Sequence, residues 1–293
     1  KWEKQIKIKT KNQNYNIVIS DGSAKKYLKK MISSNFKVFL IIDKRISGRF
    51  SNIIKKRKNV FVIRIDASEK IKSINSYWKI ISFLLEKKIN RNSKIIAIGG
   101  GTIGDLSGFV ASTVLRGLKF TLIPSTLLSQ VDSSIGGKNG INSKHGKNLI
   151  GTFYQPDKVI IDPSLLKSLP KNQLKSGYAE IVKHALINDK YFFNWLKQNY
   201  KKVLLLKRKE LIYAIYKSIR IKAKFVFRDE KENLINAYSR SMLNFGHTFG
   251  HALETLNRYS SKLLHGEAIS IGMVLASKYP INLKILVNSN LKK

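Results

Sequence analysis

The sequence predicts an α/β domain built on a parallel sheet, followed by a mostly α-helical domain, with the division near residue 150. Before that point, short apolar runs of strand length alternate with stretches of helical period. After it, the helical period continues and few strand signals remain. The length of 293 residues is enough for two domains that each bury a core of their own.

The first domain carries the strand signals. Residues 6–20 alternate between apolar and polar side chains, as the two arms of an edge hairpin would. The other signals are continuous apolar runs, which are typical of strands buried in a parallel sheet. These runs lie at 37–43, 60–65, 95–98 and 120–123. Helix-like stretches at about 23–34 and 70–88 separate them, which is the order of βαβ units.

The second domain is predicted to be helical, because its apolar residues recur with helical period. The predicted helices are 173–187, 191–206, 208–228, 241–257 and 265–279. No internal repeat or low-complexity linker interrupts either half of the chain.

Composition indicates an ordinary globular protein, with 43% hydrophobic residues. No stretch approaches 18 uninterrupted apolar residues, and the first ten residues contain no apolar core of a signal peptide. A cytoplasmic protein with no membrane span is therefore expected. The absence of cysteine excludes disulfides and thiolate metal sites, so a metal would need His, Asp or Glu ligands.

The formal charge of +37 raises the question of nucleic-acid binding. The lysines are spread over the whole chain together with many Ile and Asn, a bias that an AT-rich genome writes into any protein. We therefore expect no specific nucleic-acid site, although nonspecific polyanion binding at low salt is expected.

The most informative motif is the segment IAIGGGTIGDLSG, in which an apolar strand runs into three glycines. A helix is predicted to open at about Gly104, so its free N–H groups could meet a pyrophosphate. Gly99, Gly101 and Gly104 fit the pattern G-x-G-x-x-G. No acidic residue lies between Asp105 and Asp132, where a ribose-binding carboxylate would follow. The glycines alone leave a nucleotide site and a plain tight turn both open.

Two further groups of residues suit chemistry. Lys138, Lys144 and Lys147 follow a Gly-Gly pair in a loop-rich stretch, which fits either a phosphate or carboxylate ligand or a solvated basic loop. Three of the five histidines fall close together, and His247 and His251 are one helical turn apart. Upstream, Glu180, Lys183 and His184 share a helical face. One carboxylate with two imidazoles would form an open zinc site, whereas an isolated histidine is usually structural.

These motifs together resemble the 3-dehydroquinate synthase family of sugar phosphate cyclases, in order from about residue 60 to residue 275. The matching segments are GGGTIGDLSGF, LRGLKFTLIPSTLLSQVDSSIGGKNGIN, GKNLIGTFYQP, SGYAEIVKHALI, LNFGHTFGHALE and LHGEAISIGM. The resemblance implies a Rossmann-like NAD-binding domain, a helical metal- and substrate-binding domain, and a homodimer. It implies a lyase of the shikimate pathway, hence of aromatic amino acid biosynthesis. The substrate would be 3-deoxy-D-arabino-heptulosonate 7-phosphate, and NAD would be reduced and regenerated within one turnover.

The resemblance also assigns residues. The implied zinc ligands, which Co²⁺ could share, are Glu180, His247 and His265, and this replaces the pairing of His247 with His251. The implied NAD contacts are Asp43, Glu69, Lys72, Gly101, Thr102, Ile103, Gly104, Asp105, Ser125, Thr126, Asp132, Lys138, Lys147, Leu165, Leu166, Lys167 and Ser168. The implied substrate and catalytic contacts are Arg116, Asp132, Lys138, Lys147, Asn148, Lys183, Lys222, Arg240, Asn244 and His251. Asp43 or Glu69 would supply the ribose carboxylate that is missing downstream of the glycines.

The chain departs from the family pattern at a few points. Ser125 and Asn139 stand where the family usually has Thr, and the segment from 229 to 244 is a few residues longer, so Arg240 is placed by counting back from Asn244. The family's chain continues for several dozen residues beyond the HGEA helix, whereas this sequence ends at Lys293 and begins without Met. A fragment or an eroding gene is expected from that difference.

Other functions fit parts of the pattern. Cyclases that make inosose or valiolone products, and polyol dehydrogenases of the same fold, share the metal and NAD core. Two alternatives are not enzymes: a truncated, non-catalytic remnant of such an enzyme that binds NAD or nothing, and a protein that binds polyanions. The combination that favours the shikimate substrate is Lys138, Lys147, Asn148, Lys222 and Asn244.

Overall fold

The structure is a computed structural model, and it describes residues 3–10, 13–54, 57–234, 239–256 and 264–278. Within the helix that contains them, the side chains of residues 251 and 254–256 lie outside the described set. The predicted role of His251 therefore falls on a side chain that the structure does not describe.

A seven-stranded sheet forms the first half of the chain, with strand order β1-β2-β9-β6-β5-β3-β4. Every neighbouring pair is parallel except β1 with β2. A separate antiparallel hairpin consists of β7 and β8. The strands are β1 Lys4–Lys9, β2 Asn14–Ile19, β3 Val38–Asp43, β4 Val60–Ile65, β5 Lys94–Gly99, β6 Phe120–Pro124, β7 Lys138–Ser143, β8 Gly146–Phe153 and β9 Lys158–Ile161.

Helices cover both faces of the large sheet, and the second half of the chain is helical. The helices are α1 Ser23–Ile32, α2 Lys44–Ser47, α3 Ser51–Ile54, α4 Ile74–Glu86, α5 Gly101–Thr113, α6 Lys171–Asn188, α7 Lys190–Leu204, α8 Arg208–Arg228, α9 His247–Leu256 and α10 His265–Lys278. Among the described residues, no helix is long and apolar enough to cross a membrane.

The continuous apolar runs are explained by this layering, because each central strand is buried on both faces. In β3, Leu40 and Ile42 pack with Leu28 of α1 on one side of the sheet. Phe39 and Ile41, which point the opposite way, belong to the larger core that includes α5 and the helices of the second half. The predicted fold class, an α/β domain followed by a helical domain, is confirmed.

The four strands predicted from continuous apolar runs begin and end within one residue of the predicted bounds, although β4 lies at the edge of the sheet and is only partly buried. The predicted edge hairpin is confirmed: β1 is the outermost strand of the large sheet, and β2 joins the hairpin to the sheet by pairing with β9. The sequence patterns did not predict β7, β8 or β9. Since β9 lies beyond residue 150, the large sheet takes one strand from the segment assigned to the helical domain, and we propose a boundary nearer the start of α6.

Candidate active site

Two cavities meet at the ends of the central parallel strands. The first, of about 1050 Å³, lies beyond the carboxyl ends of β3, β5 and β6, where ligands of open α/β sheets bind. The second, of about 570 Å³, lies between the β7–β8 hairpin and the helical domain. The residues that line both cavities are Asp105, Asp132, Ser133, Asn148 and His265.

The glycine turn forms one wall of the first cavity. The helix α5 begins at Gly101, three residues earlier than predicted, and Gly100 caps it without a side-chain hydrogen bond. The first N–H groups of a helix have no partner within the helix, so the turn offers donors and the positive end of the helix dipole to an anion. A Cβ added at Gly99 would lie 2.6 Å from the side chain of Ile103, and one at Gly101 would lie 3.0 Å from Ser133 Oγ. The packing of this turn therefore requires glycine at position 99, whereas a side chain at position 101 would force Ser133 to shift.

Most of the predicted cofactor residues surround the first cavity. Those that line it are Asp43, Glu69, Gly101, Thr102, Asp105, Ser125, Thr126, Asp132, Lys147, Leu165 and Ser168. Lys138 lines the second cavity instead. Lys72, Ile103, Gly104, Leu166 and Lys167 are not among the residues lining either of these two cavities.

Two ion pairs organise the floor of the first cavity. The buried Lys72 donates to Asp105 Oδ2 at 2.8 Å and also contacts Asn148 Oδ1. The carboxylate of Asp43 caps the N-terminus of α2. It also forms an ion pair with Arg45, whose Nη2 donates to Asp43 Oδ2 at 2.7 Å. Arg45 also lines the cavity, and sequence reasoning missed it because no motif marks it.

The second cavity is rich in cations and amides. The predicted substrate residues that line it are Asp132, Lys138, Asn148, Lys183, Lys222, Arg240 and Asn244. Arg116 is exposed and does not line either cavity, and Lys147 lines the first. The ammonium of Lys138 already has a partner, because Glu232 Oε2 lies 2.5 Å from Lys138 Nζ. No sequence pattern pointed to Glu232.

Arg240, which was placed by counting back from Asn244, lines the second cavity. Its guanidinium is buried and donates to the carbonyl oxygens of Gly136 and Glu230 at 3.1 and 2.9 Å. Its backbone N–H donates to Asp229 Oδ2 at 3.0 Å. These bonds tie the end of the segment from 229 to 244, which is longer than in the family pattern, back to its beginning.

A candidate metal centre stands where the cavities join. One ligand atom from each of Glu180, His247 and His265 lies within 4.8 Å of the others. Both oxygens of Glu180 are buried without a well-formed hydrogen bond, although Lys183 lies beside one and His265 Nε2 is 3.6 Å from the other. Carboxylate oxygens held this way, facing two imidazoles, suit a zinc ion with an open coordination position.

The charge state of this cluster also suits a metal. Burial raises the pKa of Glu180, but the neighbouring Lys183 and the approach of His265 outweigh it and bring the pKa to about 2. Burial, with Lys183 nearby, lowers the pKa of His247 to about 4. At neutral pH the carboxylate is ionised and the imidazole of His247 is neutral, which are the forms that bind metals.

The buried Lys222 and the partly buried Asp132 form an ion pair beside the candidate metal centre. Lys222 Nζ lies 2.7 Å from Asp132 Oδ1 and 2.7 Å from its backbone oxygen. Burial raises the pKa of Asp132, but Lys222 and His184 hold that pKa well below its ordinary value. Burial lowers the pKa of Lys222 to about 8 despite the attraction of Asp132. The pair therefore places a charge that titrates near neutral pH on the wall of the second cavity.

Comparison of the sequence with protein families gives two adjoining matches. The family described as 3-dehydroquinate synthase N-terminal matches residues 62–176, and 3-dehydroquinate synthase C-terminal matches residues 177–293. A curated 3-dehydroquinate synthase from Pelagibacter ubique is 48% identical over 291 residues, which cover 96% of this chain and 77% of the relative.

Solved structures share the fold. ValA, a 2-epi-5-epi-valiolone synthase from Streptomyces hygroscopicus with NAD+ and Zn2+ bound, has a TM-score of 0.80 at 24% identity and covers 92% of this chain and 75% of its own. A 2-deoxy-scyllo-inosose synthase complexed with carbaglucose-6-phosphate, NAD+ and Co2+ has a TM-score of 0.77 at 24% identity, covering 96% and 78%.

Proposed function

The chain belongs to the 3-dehydroquinate synthase family, a family of lyases, and from this premise we propose how its two cavities divide the work. The reaction converts 3-deoxy-D-arabino-heptulosonate 7-phosphate to 3-dehydroquinate and phosphate. We assign NAD to the first cavity, the substrate to the second, and zinc to Glu180, His247 and His265. The single observation that carries this assignment is that His265 lines both cavities, so the metal centre stands between cofactor and substrate.

The first cavity supports the assignment of NAD by its chemistry. The start of α5 offers N–H donors to the pyrophosphate, and Ser125 and Thr126 add hydroxyls along the same wall. Asp43 and Glu69 lie at the far side, where a carboxylate can accept from a ribose hydroxyl. The two solved neighbours that contain NAD+ share this fold.

Bound zinc would polarise a substrate hydroxyl, and bound NAD would accept a hydride and later return it, so that no net redox change occurs. The residues of the chain hold the substrate in place. Lys138, Lys222 and Arg240 provide charge for its phosphate and carboxylate, and Asn148 and Asn244 provide amides for its hydroxyls. Fixing both anionic ends sets the geometry in which the proton and phosphate leave.

Lys138 changes partners in this proposal. Its ammonium is paired with Glu232 in the free chain, and Glu232 also lies 3.9 Å from Arg240 Nε. A substrate anion that binds Lys138 must displace this carboxylate. Lys183 does not have that freedom, because it is buried against Glu180, and it faces the substrate from the metal side.

The direct test is release of inorganic phosphate from the heptulosonate phosphate, measured with and without NAD and after chelation of metal. We expect phosphate release to require both NAD and the metal, and the product to be a carbocycle. Glucose 6-phosphate, whose carba analogue is bound in one solved neighbour, lacks the carboxylate and should not react. Phosphate release from that sugar, and none from the heptulosonate, would instead support a cyclase of the inosose type.

Lys222 predicts how the reaction depends on pH. Its pKa of about 8 lies below the ordinary value of 10.5, so its charge is lost as the pH rises through 8. We expect kcat/KM, which reports ionisations of the free enzyme, to fall up to about tenfold per pH unit above that point. The variant Lys222→Arg keeps its charge and should move the fall to higher pH. Identical profiles for the two proteins would show that another group controls this limb.

Family membership also leads us to propose that the chain forms a homodimer. Light scattering of the purified protein at working concentrations measures the mass directly, and a mass of one chain would contradict the proposal. Arg116, which lies away from both cavities of its own chain, remains a predicted substrate contact.

A further inference from the structure

We infer that His184 is a positioning residue that fixes the carboxylate of Asp132 at the junction of the two cavities. The inference rests on the proposed function, because Asp132 matters only if cofactor and substrate meet there. The side chain of His184 is fully buried and lines neither cavity, so it acts through Asp132 rather than on the ligands.

The imidazole of His184 stands between two oxygens. Its Nδ1 lies 2.6 Å from Ser218 Oγ, and its Nε2 lies 3.6 Å from Asp132 Oδ1. Nε2 is buried without a hydrogen-bond partner in the described structure, which is costly for a polar atom. Hydrogen bonds of unloaded sites are commonly long and tighten when ligands bind. The carboxylate of Asp132 is the acceptor that Nε2 faces.

The tautomer follows from the surroundings of the ring. Burial lowers the pKa of His184, which the neighbouring Asp132 offsets only in part, so the ring is neutral and carries one N–H. With the proton on Nδ1, the Nε2 lone pair would face a carboxylate oxygen and repel it. With the proton on Nε2, the ring donates to Asp132 and Nδ1 accepts from Ser218. The second arrangement satisfies all three groups.

The helix α8 contacts Asp132 directly through Lys222 and indirectly through Ser218, which bonds His184. Ser218 and Lys222 are one turn apart on α8, so they face the same side. Lys222 bonds Asp132 directly, while Ser218 orients His184, which comes from α6. Asp132 itself lies in a π-helical turn, Ser129–Ser133, a local geometry that is frequent at functional sites. Lys222 and His184 approach its carboxylate from α8 and α6, and together they would hold it in one orientation.

The experiment compares His184→Leu with His184→Gln in the zinc- and NAD-loaded enzyme. Leu removes the donor, and we expect kcat/KM to fall roughly 10- to 100-fold, as is usual for residues that orient a ligand-contacting group. Gln can place an amide N–H near the position of Nε2, so it should recover most of the loss. In the Asp132→Asn background the substitution His184→Leu should cost little more, since its target is already altered.

A nitrogen NMR measurement of the His184 ring tests the inference without relying on activity. We expect the proton on Nε2 in the unmodified protein and a mixture of tautomers in Asp132→Asn, in which the carboxylate that fixes the proton is replaced by an amide. A proton on Nδ1, equal activity of the Leu and Gln variants, or a full additional loss in the Asp132→Asn background would each overturn the inference. An inactive unmodified enzyme with the expected tautomer would contradict the proposed function and leave His184 in its positioning role.

Discussion

Replacement of His247 by alanine is expected to remove stoichiometric zinc and to lower the rate of phosphate release at least about 10³-fold. A metal that polarises a substrate oxygen contributes several kcal/mol to the transition state, and each 1.36 kcal/mol is a factor of ten in rate. The proposed ligand set has three members, so losing His247 leaves it a carboxylate and a single imidazole. Metal content after gel filtration and phosphate release measure the two effects separately.

His145→Ala is the matched control for this prediction. His145 is exposed in the turn between β7 and β8 and lines neither cavity. Its replacement should leave both zinc content and activity unchanged. Full zinc content in His247→Ala would contradict the assigned ligand set. So would a structure in which the metal joins His247 to His251 while His265 stays distant, as the one-turn spacing alone would suggest.

Helical spacing and family resemblance suggest different ligand sets for the metal. His247 and His251 are one turn apart along α9, whereas one cluster among the described residues draws Glu180 from α6, His247 from α9 and His265 from α10. Packing of α10 against both α6 and α9 creates that geometry. It became predictable from sequence only through resemblance to a family, not from the residues themselves.

The buried strands were predictable because burial on both faces leaves a plain signal in the sequence. The hairpin of β7 and β8 carries glycines, lysines and asparagines instead, since it packs one face on α5 and lines the second cavity with the other residues. Gly140 pairs with Gly151 across the hairpin, and a Cβ on Gly140 would lie 2.6 Å from the backbone oxygen of Ile150. A composition of that kind is typical of a loop, so the sequence pattern did not reveal that this stretch forms two strands of the site.

Two side-chain ion pairs, one between distant segments and one within a single turn, were also not predictable from the sequence. Glu232 reaches Lys138, and Arg45 turns back onto Asp43, without a motif at either position. The start of α5 was misjudged for a different reason. Glycine is a poor helix former, so three glycines indicated a turn up to Gly104, whereas the helix takes Gly101 as its first residue to pack tightly against Ser133.

Substitution of Gly101 by valine is expected to weaken NAD binding roughly 10- to 100-fold. The added Cβ would lie 3.0 Å from Ser133 Oγ, in the wall that the pyrophosphate must approach. Forcing atoms into close-packed space costs about 1–3 kcal/mol, and each 1.4 kcal/mol is tenfold in affinity. Gly101→Ala adds only the Cβ and should show a smaller effect of the same sign. Titration calorimetry with NAD measures all variants on one scale.

Gly48→Val separates a local effect at the turn from a general cost of losing a glycine. A Cβ at Gly48 meets no atom within 4 Å, and its backbone φ of −57° is one that any residue adopts. NAD affinity should therefore stay within error of the unmodified protein. A Gly101→Val protein that melts at the same temperature but has lost NAD binding would tie the loss to the turn itself. Unchanged affinity in Gly101→Val would mean that the cofactor does not lie across these glycines, and the first cavity would need another ligand.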